Sequence, residues 1–215
     1  MDKKSPKSVS KSVLKRLPGY LSYLKSTSDA ESPYISATAL ANALGMGEVQ
    51  VRKDLAMVSD GGRPKIGYLR ETLIEDIEQF LGYDNTTDAV IIGAGKLGQA
   101  LLGYSGFDEY GLNILAGFDV KPAMEVTEEG KPIYHMEQLE AFCREHKVLM
   151  GIITVPAAYA QAVCDQLIAC GIKAIWTFAP VHLDVPENVM VHNENMANSL
   201  AVLSMHLQAQ NKLKK

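Results

Sequence analysis

The pattern Gly-x-Gly-x-x-Gly at residues 93–98 constrains the fold of this chain more than any other feature. It directly follows the apolar run at residues 89–92, and helix-forming residues come after it. Gly93 permits a tight turn out of a strand, Gly95 lets the backbone approach a pyrophosphate, and Gly98 lets the next helix lie close to the sheet. The pattern predicts a dinucleotide-binding strand, turn and helix. The alternative is a glycine turn kept for packing alone.

An acidic residue lies where such a site requires one. Asp119 comes 21 residues after Gly98, at the end of the strand predicted over residues 114–118. Its carboxylate would accept hydrogen bonds from ribose hydroxyls and would repel a 2′-phosphate, which favours NAD(H) over NADP(H). Apolar strands alternate with helices over residues 84–192. This alternation predicts an α/β domain with a Rossmann-like parallel sheet that is covered on both faces.

Residues 1–83 show the pattern of a winged helix-turn-helix. Ser36 is a good N-cap for a helix over residues 37–44, and Gly45 suits the turn after that helix. A second helix follows and ends near Met57, and a turn-rich basic stretch then suits a β-wing. A further helix is predicted over residues 70–81. In the first helix of the region, apolar residues recur at helical spacing, and Pro18 predicts a break or a new first turn.

Five side chains of the second helix and the wing are candidates for DNA contact. Residues early in a recognition helix reach base edges in the major groove, where Arg or Lys suits guanine and Gln suits adenine. Wing residues reach phosphates or a minor groove. The five candidates are Gln50, Arg52, Lys53, Arg63 and Lys65. Val49, Leu55 and Val58 are expected to hold the opposite face on the core. The alternative is a charged, solvated helix face.

Short motifs in a fixed order extend from about residue 9 to residue 207. They are residues 16–20 (Arg-Leu-Pro-Gly-Tyr), 50–55 (Gln-Val-Arg-Lys-Asp-Leu), 67–68, 93–101, 118–119, 154–157, 160–161, 169–173 and 178–181. In these motifs the chain resembles the Rex family of redox-sensing transcriptional repressors. The resemblance implies a winged-helix domain, a Rossmann domain and a domain-swapped C-terminal helix over residues 193–215. It also implies a homodimer that binds palindromic operator DNA and releases it when NADH binds, with NAD⁺ as the competitor.

The resemblance also implies which residues bind the cofactor and which form a switch. The expected cofactor-binding residues are Gly93, Ala94, Gly95, Lys96, Leu97, Gly98, Tyr104, Asp119, Val155, Pro156 and Phe178. In some Rex proteins an Arg on the first helix, a Tyr after the glycine helix and an Asp opening the last helix form a polar switch. Arg16 and Tyr104 match the first two positions, and the third is Asn195. An amide can form a hydrogen bond with Arg16 but no salt bridge.

The chain departs from the family pattern at two further places. The wing carries Met-Val-Ser at residues 57–59 and Gly-Arg-Pro-Lys at residues 62–65, which bears on the operator sequence. Met-Glu-Val at residues 124–126 replaces the usual segment after Asp119. This change could alter how the protein binds the adenosine half of the dinucleotide. An altered segment there keeps open a second possibility, a DNA-binding regulator with a different or lost nucleotide ligand.

Composition and residue spacing argue against several other classes of protein. The chain has 215 residues, a net charge of −4, no apolar run of the ~20 residues that a membrane span needs and no secretory leader pattern, which predicts a cytoplasmic protein. Basic residues cluster within the first 25 positions and can neutralise phosphates, or they form a solvated tail. The three cysteines, Cys143, Cys164 and Cys170, lack a C-x-x-C spacing and indicate small buried hydrophobes rather than redox-reactive thiols.

An enzymatic function is the remaining alternative. A dehydrogenase needs a proton-transfer group over the nicotinamide. The five histidines (135, 146, 182, 192 and 206) share no such motif, although His135 lies near a strand end, and no metal-ligand spacing appears. We therefore expect that the protein is not an enzyme.

A last helix is predicted from about Asn195. Its apolar stripe packs either on its own sheet or on a partner chain.

Overall fold

The computed structural model describes residues 10–27, 32–194 and 196–213. The chain divides into two compact units, Met1–Asn85 and Thr86–Lys215. Within the described ranges, no helix combines the length and the apolar character that crossing a membrane requires. The N-terminal residues 1–9, which carry part of the basic cluster, lie outside the described residues, and so does Asn195.

In residues 10–27 and 32–85, the first unit combines four helices with a small antiparallel sheet. Its elements are α1 (Lys11–Ser26), β1 (Tyr34–Ile35), α2 (Ala37–Ala43), α3 (Glu48–Val58), β2 (Tyr68–Leu69) and α4 (Arg70–Leu81). β1 pairs with β2, and the segment before β2 forms a tight turn closed by a bridge between Arg63 and Gly67. This is the predicted helix-turn-helix with a wing, and the predicted limits of α4 coincide with the observed ones.

The turn between α2 and α3 is fixed by local hydrogen bonds. The Ser36 hydroxyl accepts a bond from the Ala39 N–H at 3.0 Å, which caps the start of α2 as predicted. At its end, Gly45 adopts φ +64°, and the Met46 N–H donates to the Ala41 carbonyl at 2.8 Å. A left-handed residue with this bond is the usual way to end a helix. The turn therefore sets where α3 begins.

α1 continues through Pro18, so the predicted break is wrong. Proline in a helix interior costs about 3 kcal/mol because it removes one hydrogen bond and crowds the preceding turn. Leu17, Tyr20 and Leu21 are buried on either side of it. Burying one such side chain is worth about 1.5–3 kcal/mol, so the packing of this face outweighs the cost of the proline. Leu14, which shares the helical spacing, is exposed.

The second unit is built on a six-stranded parallel sheet. Its strands are β3 (Thr87–Ile92), β4 (Leu112–Asp119), β5 (Ile133–His135), β6 (Met150–Ile153), β7 (Ala174–Thr177) and β8 (Met190–Asn193). Its α-helices are α5 (Lys96–Leu102), α6 (Leu139–His146), α7 (Ala157–Ala169) and α8 (Met196–Leu213), with 3₁₀ turns at Ser105–Tyr110 and Met136–Gln138. The strand order is β5-β4-β3-β6-β7-β8. This is the Rossmann order, so the predicted fold class is confirmed.

Both faces of the sheet are buried at its central strand β3, as expected for a parallel sheet. Val90 and Ile92 of β3 pack into one core with residues of α6 and α7. Ala89 and Ile91, which alternate with them, pack into a second core with residues of α5 and the 3₁₀ turn after it. The continuous apolar run of β3 is the consequence of this two-sided burial.

α8 differs from the other helices of the unit in the exposure of the side chains that the structure describes. All of its side chains that the structure describes, at residues 197, 200–208, are exposed. The large apolar ones among them are Leu200, Val202, Leu203, Met205 and Leu207. Packing of α8 on its own sheet, one of the two expectations, is therefore not observed for these side chains.

Candidate functional site

The strand order of the second unit reverses between β3 and β6, and the candidate site lies at this point. Ligands of open α/β sheets bind in the crevice beyond the carboxyl ends of the two strands that flank such a reversal. The turn at residues 93–95 leaves β3 there, and residues 154–156 leave β6 beside it. The two turns are joined because the Thr154 hydroxyl donates to the Gly93 carbonyl at 2.7 Å.

The three glycines differ in what an added Cβ would meet. At Gly93, which adopts φ +101°, it would lie 2.9 Å from Val155 Cγ1. At Gly98 it would lie 1.9 Å from the Gly93 carbonyl oxygen, so this glycine allows α5 to approach the turn. At Gly95 it would meet no atom within 4 Å. Gly95 therefore has no packing reason to be a glycine, and the open space beside it is where a ligand can approach the backbone.

Asp119 ties the end of β4 to the glycine turn. Its Oδ2 accepts a hydrogen bond from the Ala94 N–H at 2.8 Å, and its Oδ1 accepts one from the Lys121 N–H at 2.9 Å. A carboxylate offers about four lone-pair positions, so two acceptor positions remain. The side chain is half-buried at the crevice. It is placed to accept further hydrogen bonds from a bound hydroxyl group.

A cavity of about 590 Å³ occupies this crevice. Its lining is mostly apolar and comes from four segments of the second unit. The lining residues are Ile92, Gly93, Gly95, Phe118, Asp119, Val120, Met136, Thr154, Val155, Pro156, Tyr159, Ala162, Val163 and Gln166. A volume of this size, with few polar groups, is typical of a cofactor or small-molecule site. Neither histidine nor lysine occurs among these described lining residues.

The expected cofactor-binding residues divide into two groups. Gly93, Gly95, Asp119, Val155 and Pro156 line the cavity. Ala94, Lys96, Leu97 and Gly98 lie in the same turn or the first turn of α5 without lining it.

Phe178 and Tyr104 also lie away from the cavity lining. Phe178 packs on Trp176, with ring centroids 4.7 Å apart. The exposed Tyr104 packs edge-on against Phe107, with ring centroids 5.0 Å apart. The assignment of these residues to the cofactor site stays a prediction.

Several lining residues were missed by the sequence reasoning. Tyr159, Val163 and Gln166 lie on α7 at spacings of four and three residues, and such spacings place them on one helix face. That spacing is the signal that points to them, once α7 is placed beside the β6 turn. The departure at residues 124–126, in contrast, does not line the cavity.

Most of the candidate DNA-contacting side chains are exposed on α3 and the wing. Arg52, which is exposed, forms an ion pair with the half-buried Glu48 one turn earlier. Lys53 is exposed, and Arg63 and Lys65 are exposed in the wing turn, where Lys65 adopts φ +66°. These four cations are therefore accessible to a polyanion.

The face of α3 that packs on the core differs from the expected one. Val51, Asp54 and Leu55 are buried and Val58 is half-buried, whereas Val49 is exposed. The expectation for Val49 is wrong because helical spacing places residues 51, 54, 55 and 58 on one face of α3 and Val49 on the opposite side. The stripe carries one charged residue, Asp54, which sequence reasoning left on the solvated face.

Asp54 joins α3 to α1 through a buried polar cluster. The Arg16 guanidinium donates two hydrogen bonds to its carboxylate, at 2.7 and 2.9 Å, and the Tyr20 hydroxyl donates a third at 2.7 Å. Gln50 Nε2 donates a fourth at 2.8 Å. Burial opposes ionisation, but these bonds from Arg16, Tyr20 and Gln50 outweigh it and lower the pKa of Asp54. Arg16, an expected switch residue, is thus bound to Asp54 within the first unit.

The cysteines behave as expected for two of the three positions. Cys143 and Cys164 are buried and Cys170 is half-buried. Burial raises the pKa of all three thiols, to about 12 for Cys143, so they are protonated at neutral pH. Since the thiolate is the reactive form, a raised pKa lowers the reactivity of these thiols.

Two family models match the chain, one in each unit. A model described as a putative DNA-binding protein N-terminus matches residues 8–56. A model described as a CoA binding domain matches residues 84–181.

Relatives of known classification match almost the whole chain. A redox-sensing transcriptional repressor Rex from Treponema denticola is 41% identical over 195 residues, which are 89% of this chain and 92% of the relative. The chain belongs to the Rex family. A Rex repressor from Clostridium novyi is 37% identical and is covered in full, with 98% of this chain aligned. Rex proteins are transcriptional repressors, so the expectation of a regulator rather than an enzyme is confirmed.

Solved structures of another Rex protein agree with the fold. RSP in complex with beta-NAD⁺ and operator DNA matches with a TM-score of 0.87 and 34% identity, over 97% of this chain and 96% of RSP. RSP in complex with beta-NADH matches with a TM-score of 0.86 and 33% identity, over 97% and 98%.

Proposed function

We propose that this protein is a DNA-binding repressor that responds to the NADH/NAD⁺ ratio and releases a palindromic operator when NADH binds. The observation that carries the proposal is the cavity at the β3–β6 reversal, built by a glycine turn and Asp119, in a chain that also holds a winged helix-turn-helix. RSP, which is similar over nearly the whole chain, binds the same two kinds of ligand.

The residues of the cavity fit a dinucleotide. The open space at Gly95 admits a pyrophosphate close to the backbone, and the free N–H groups at the start of α5 suit its negative charge. Asp119 would bind the adenosine ribose hydroxyls with its remaining acceptor positions, and its charge disfavours a 2′-phosphate. The remaining expected residues of the turn, together with Phe178 and Tyr104, belong to this proposal. The bound cofactor would act only as a signal, and its redox state, NADH or NAD⁺, would be what the protein detects.

The recognition helix in this proposal is α3. Gln50, Arg52 and Lys53 would reach base edges from its first two turns, while Arg63 and Lys65 of the wing would reach the backbone or a minor groove. The switch of Arg16, Tyr104 and Asn195 is part of the same proposal. In this proposal, the ion pair between Arg16 and Asp54 would be one of the two states that such a switch needs.

The proposal includes a homodimer. Each chain would consist of a DNA-binding domain (1–83), a cofactor domain (84–192) and a C-terminal segment (193–215) that is exchanged between the two chains. The apolar side chains of α8 are exposed in the single chain, which supports packing of this helix against a partner chain. A palindromic operator suits two recognition helices related by a two-fold axis. We infer a cytoplasmic location, where both NADH and DNA are accessible in a bacterial cell.

Fluorescence anisotropy of a labelled operator duplex tests the response. A duplex selected by the protein from a random pool is titrated in the presence of NADH, and then of NAD⁺. We expect NADH to weaken duplex affinity by about 5- to 150-fold, the usual range of coupling between two sites, and NAD⁺ to reverse this effect. An affinity that changes with neither cofactor contradicts the proposal, and a response to CoA instead would favour the regulator with a different nucleotide ligand.

Two variants separate the cofactor site from the DNA site. Asp119→Ala is expected to abolish the NADH response while apo DNA binding stays near that of the parent protein. Arg52→Ala is expected to weaken operator binding by about 1–3 kcal/mol and leave NADH binding intact. Arg144→Ala is the matched control for Arg52, because Arg144 is also an exposed arginine paired with a glutamate one turn earlier, at 2.5 Å. An equal loss in both arginine variants would mean that α3 does not read DNA.

A further inference from the structure

The carboxylate of Asp54 is almost completely enclosed by hydrogen-bond donors. The residue is only 1% exposed, and its two oxygens accept four hydrogen bonds from three side chains. Arg16 and Tyr20 come from α1, so they hold the carboxylate against a different helix from its own. Four bonds fill the acceptor capacity of a carboxylate. The position of this group is therefore fixed.

This enclosure determines the orientation of the Gln50 side chain. An ionised carboxylate has no hydrogen to donate, so the amide group that faces it must be the NH₂ and not the carbonyl oxygen. Gln50 Nε2 lies 2.8 Å from Asp54 Oδ1, and the two residues are one helical turn apart on α3. The Gln50 residue itself is exposed. One amide hydrogen is thus bound to Asp54, while Oε1 and the second hydrogen remain free.

We propose that Asp54 is a positioning residue for base recognition: it holds the Gln50 amide so that Oε1 and the free Nε2 hydrogen together face an adenine. The inference rests on the proposed function, in which α3 reads DNA. Adenine presents a donor and an acceptor side by side in the major groove, and a glutamine amide pairs with both. Guanine presents two acceptors there, and Oε1 would oppose one of them.

The arrangement also lowers the cost of recognition. A free glutamine side chain loses rotamer freedom when it binds, at a cost comparable to that of other long polar side chains. Here that freedom is already lost in the folded protein, because the amide is bound to Asp54, which in turn is held by Arg16 and Tyr20. The cluster therefore links the position of α1 to what α3 reads.

Single-base substitution of a selected operator tests the inference. The duplex that the wild-type protein selects from a random pool is substituted one base pair at a time, and the affinity of each variant duplex is measured. We expect one A·T position at which replacement by G·C costs about tenfold or more, the usual value for a bidentate contact. Gln50→Ala is expected to remove this preference at that position alone.

Asp54→Asn is the decisive variant. An asparagine can direct its NH₂ toward Gln50, which would turn the Gln50 amide over and present the wrong group to adenine. We expect the preference at the Gln50 position to fall below about threefold, while preferences at other positions and affinity for random duplex change uniformly or not at all. In the double variant with Gln50→Ala, the second substitution should cause no further loss at that position. Full preference in a folded Asp54→Asn protein overturns the inference.

A measurement on the wild-type protein covers the case in which Asp54→Asn does not fold. The Gln50 side-chain NH₂ signal in a ¹H–¹⁵N spectrum is identified by its absence in Gln50→Ala. We expect this NH₂ to be as rigid as the backbone of α3, unlike the NH₂ of the exposed Gln79 on α4. A Gln50 NH₂ as mobile as that of Gln79 overturns the inference. Failure of the wild-type protein to select any duplex would instead overturn the proposed function, and the NMR result would still stand.

Discussion

Gly98 and Gly95 belong to one motif but differ in role, since the first is needed for folding and the second for ligand binding. Gly98→Ala would place a methyl group 1.9 Å from a backbone oxygen that has little freedom to move, whereas Gly95→Ala would place it in open space beside the cavity. We expect Gly98→Ala to destabilise the second unit by more than about 3 kcal/mol, because an overpacked backbone contact has to be relieved. Thermal unfolding followed by circular dichroism measures this loss.

Gly95→Ala should fold like the parent protein and yet bind NADH more weakly. The expected loss is about 1–3 kcal/mol, because the added methyl group occupies the space through which a pyrophosphate reaches the backbone. Isothermal titration calorimetry with NADH gives the affinity. A Gly95→Ala protein that binds NADH as tightly as the wild type would remove the reason for the glycine.

At the scale of single residues, sequence reasoning works where spacing defines a function. The glycine spacing and Asp119 point to residues that line one cavity, because each position has a separate geometric reason. Asp54 is different, since its neighbours Arg52 and Lys53 make the run look like a solvated face. Helical spacing does place Asp54 on one stripe with Val51 and Leu55, but its partners Arg16 and Tyr20 lie on another helix, and no sequence pattern shows that they meet it.

At the scale of elements, the contact between α1 and α3 predicts a response to alkaline pH. Burial, with the hydrogen bond to Asp54, raises the pKa of Tyr20 from 10.0 to about 12. A group whose pKa is raised by folding stabilises the protein fully below pH 10, and this contribution is lost as the pH rises through about 12. The first unit should therefore lose stability across this window.

Tyr20→Phe tests this expectation. At neutral pH the variant should be less stable by about 1.5–3 kcal/mol, since it removes a hydrogen bond to a buried charge. The difference should shrink between pH 10 and 12. Urea unfolding followed by far-UV circular dichroism measures both units, and the single tryptophan, Trp176, reports on the second unit alone. Tyr23→Phe, on the same helix and without a bond to Asp54, is the control. A difference that does not vary with pH would contradict the assigned pKa shift.

The limits of most helices and strands follow from local signals. α2 ends where Gly45 takes a left-handed conformation, and α4 ends at Gly82 in the same way. Pro18 misleads because its local preference is overruled by packing on both sides. A 3₁₀ turn at Met136–Gln138 precedes α6, so the α-helix itself begins only at Leu139. Such boundaries depend on tertiary contacts that a single sequence does not contain.

At the scale of the whole molecule, the exposed apolar side chains of α8 predict that the protein forms a homodimer. Leu203→Glu puts a charge on its exposed apolar stripe, and we expect the homodimer to dissociate because a buried unpaired charge is strongly unfavourable. Sedimentation velocity measures the mass of the protein. Gln208→Glu adds the same charge to another exposed position of the helix and should leave the dimer intact. A monomeric wild-type protein, or a dimer that survives Leu203→Glu, would contradict the role of α8.

The whole-molecule arrangement was only partly contained in the sequence. Alternating apolar strands and helices predict a parallel sheet, and the change of sequence pattern after residue 83 predicts two units. Neither pattern reveals that β8 pairs with β7 without an α-helix between them. The choice between packing of α8 on its own sheet and packing on another chain also depends on surfaces that meet only after folding.

The outer edge of the sheet has a consequence for synthesis of the protein in the cell. β8 ends the strand order, all of its residues are exposed, and Met190 is 69% exposed. A strand edge with free backbone groups is a template for aggregation with any other unpaired strand. A nascent chain that leaves the ribosome presents this edge and the bare stripe of α8 together. We expect the yield of soluble protein to depend on how quickly a new chain meets a second copy. When few copies are being synthesised, each chain spends longer as a monomer with these surfaces uncovered.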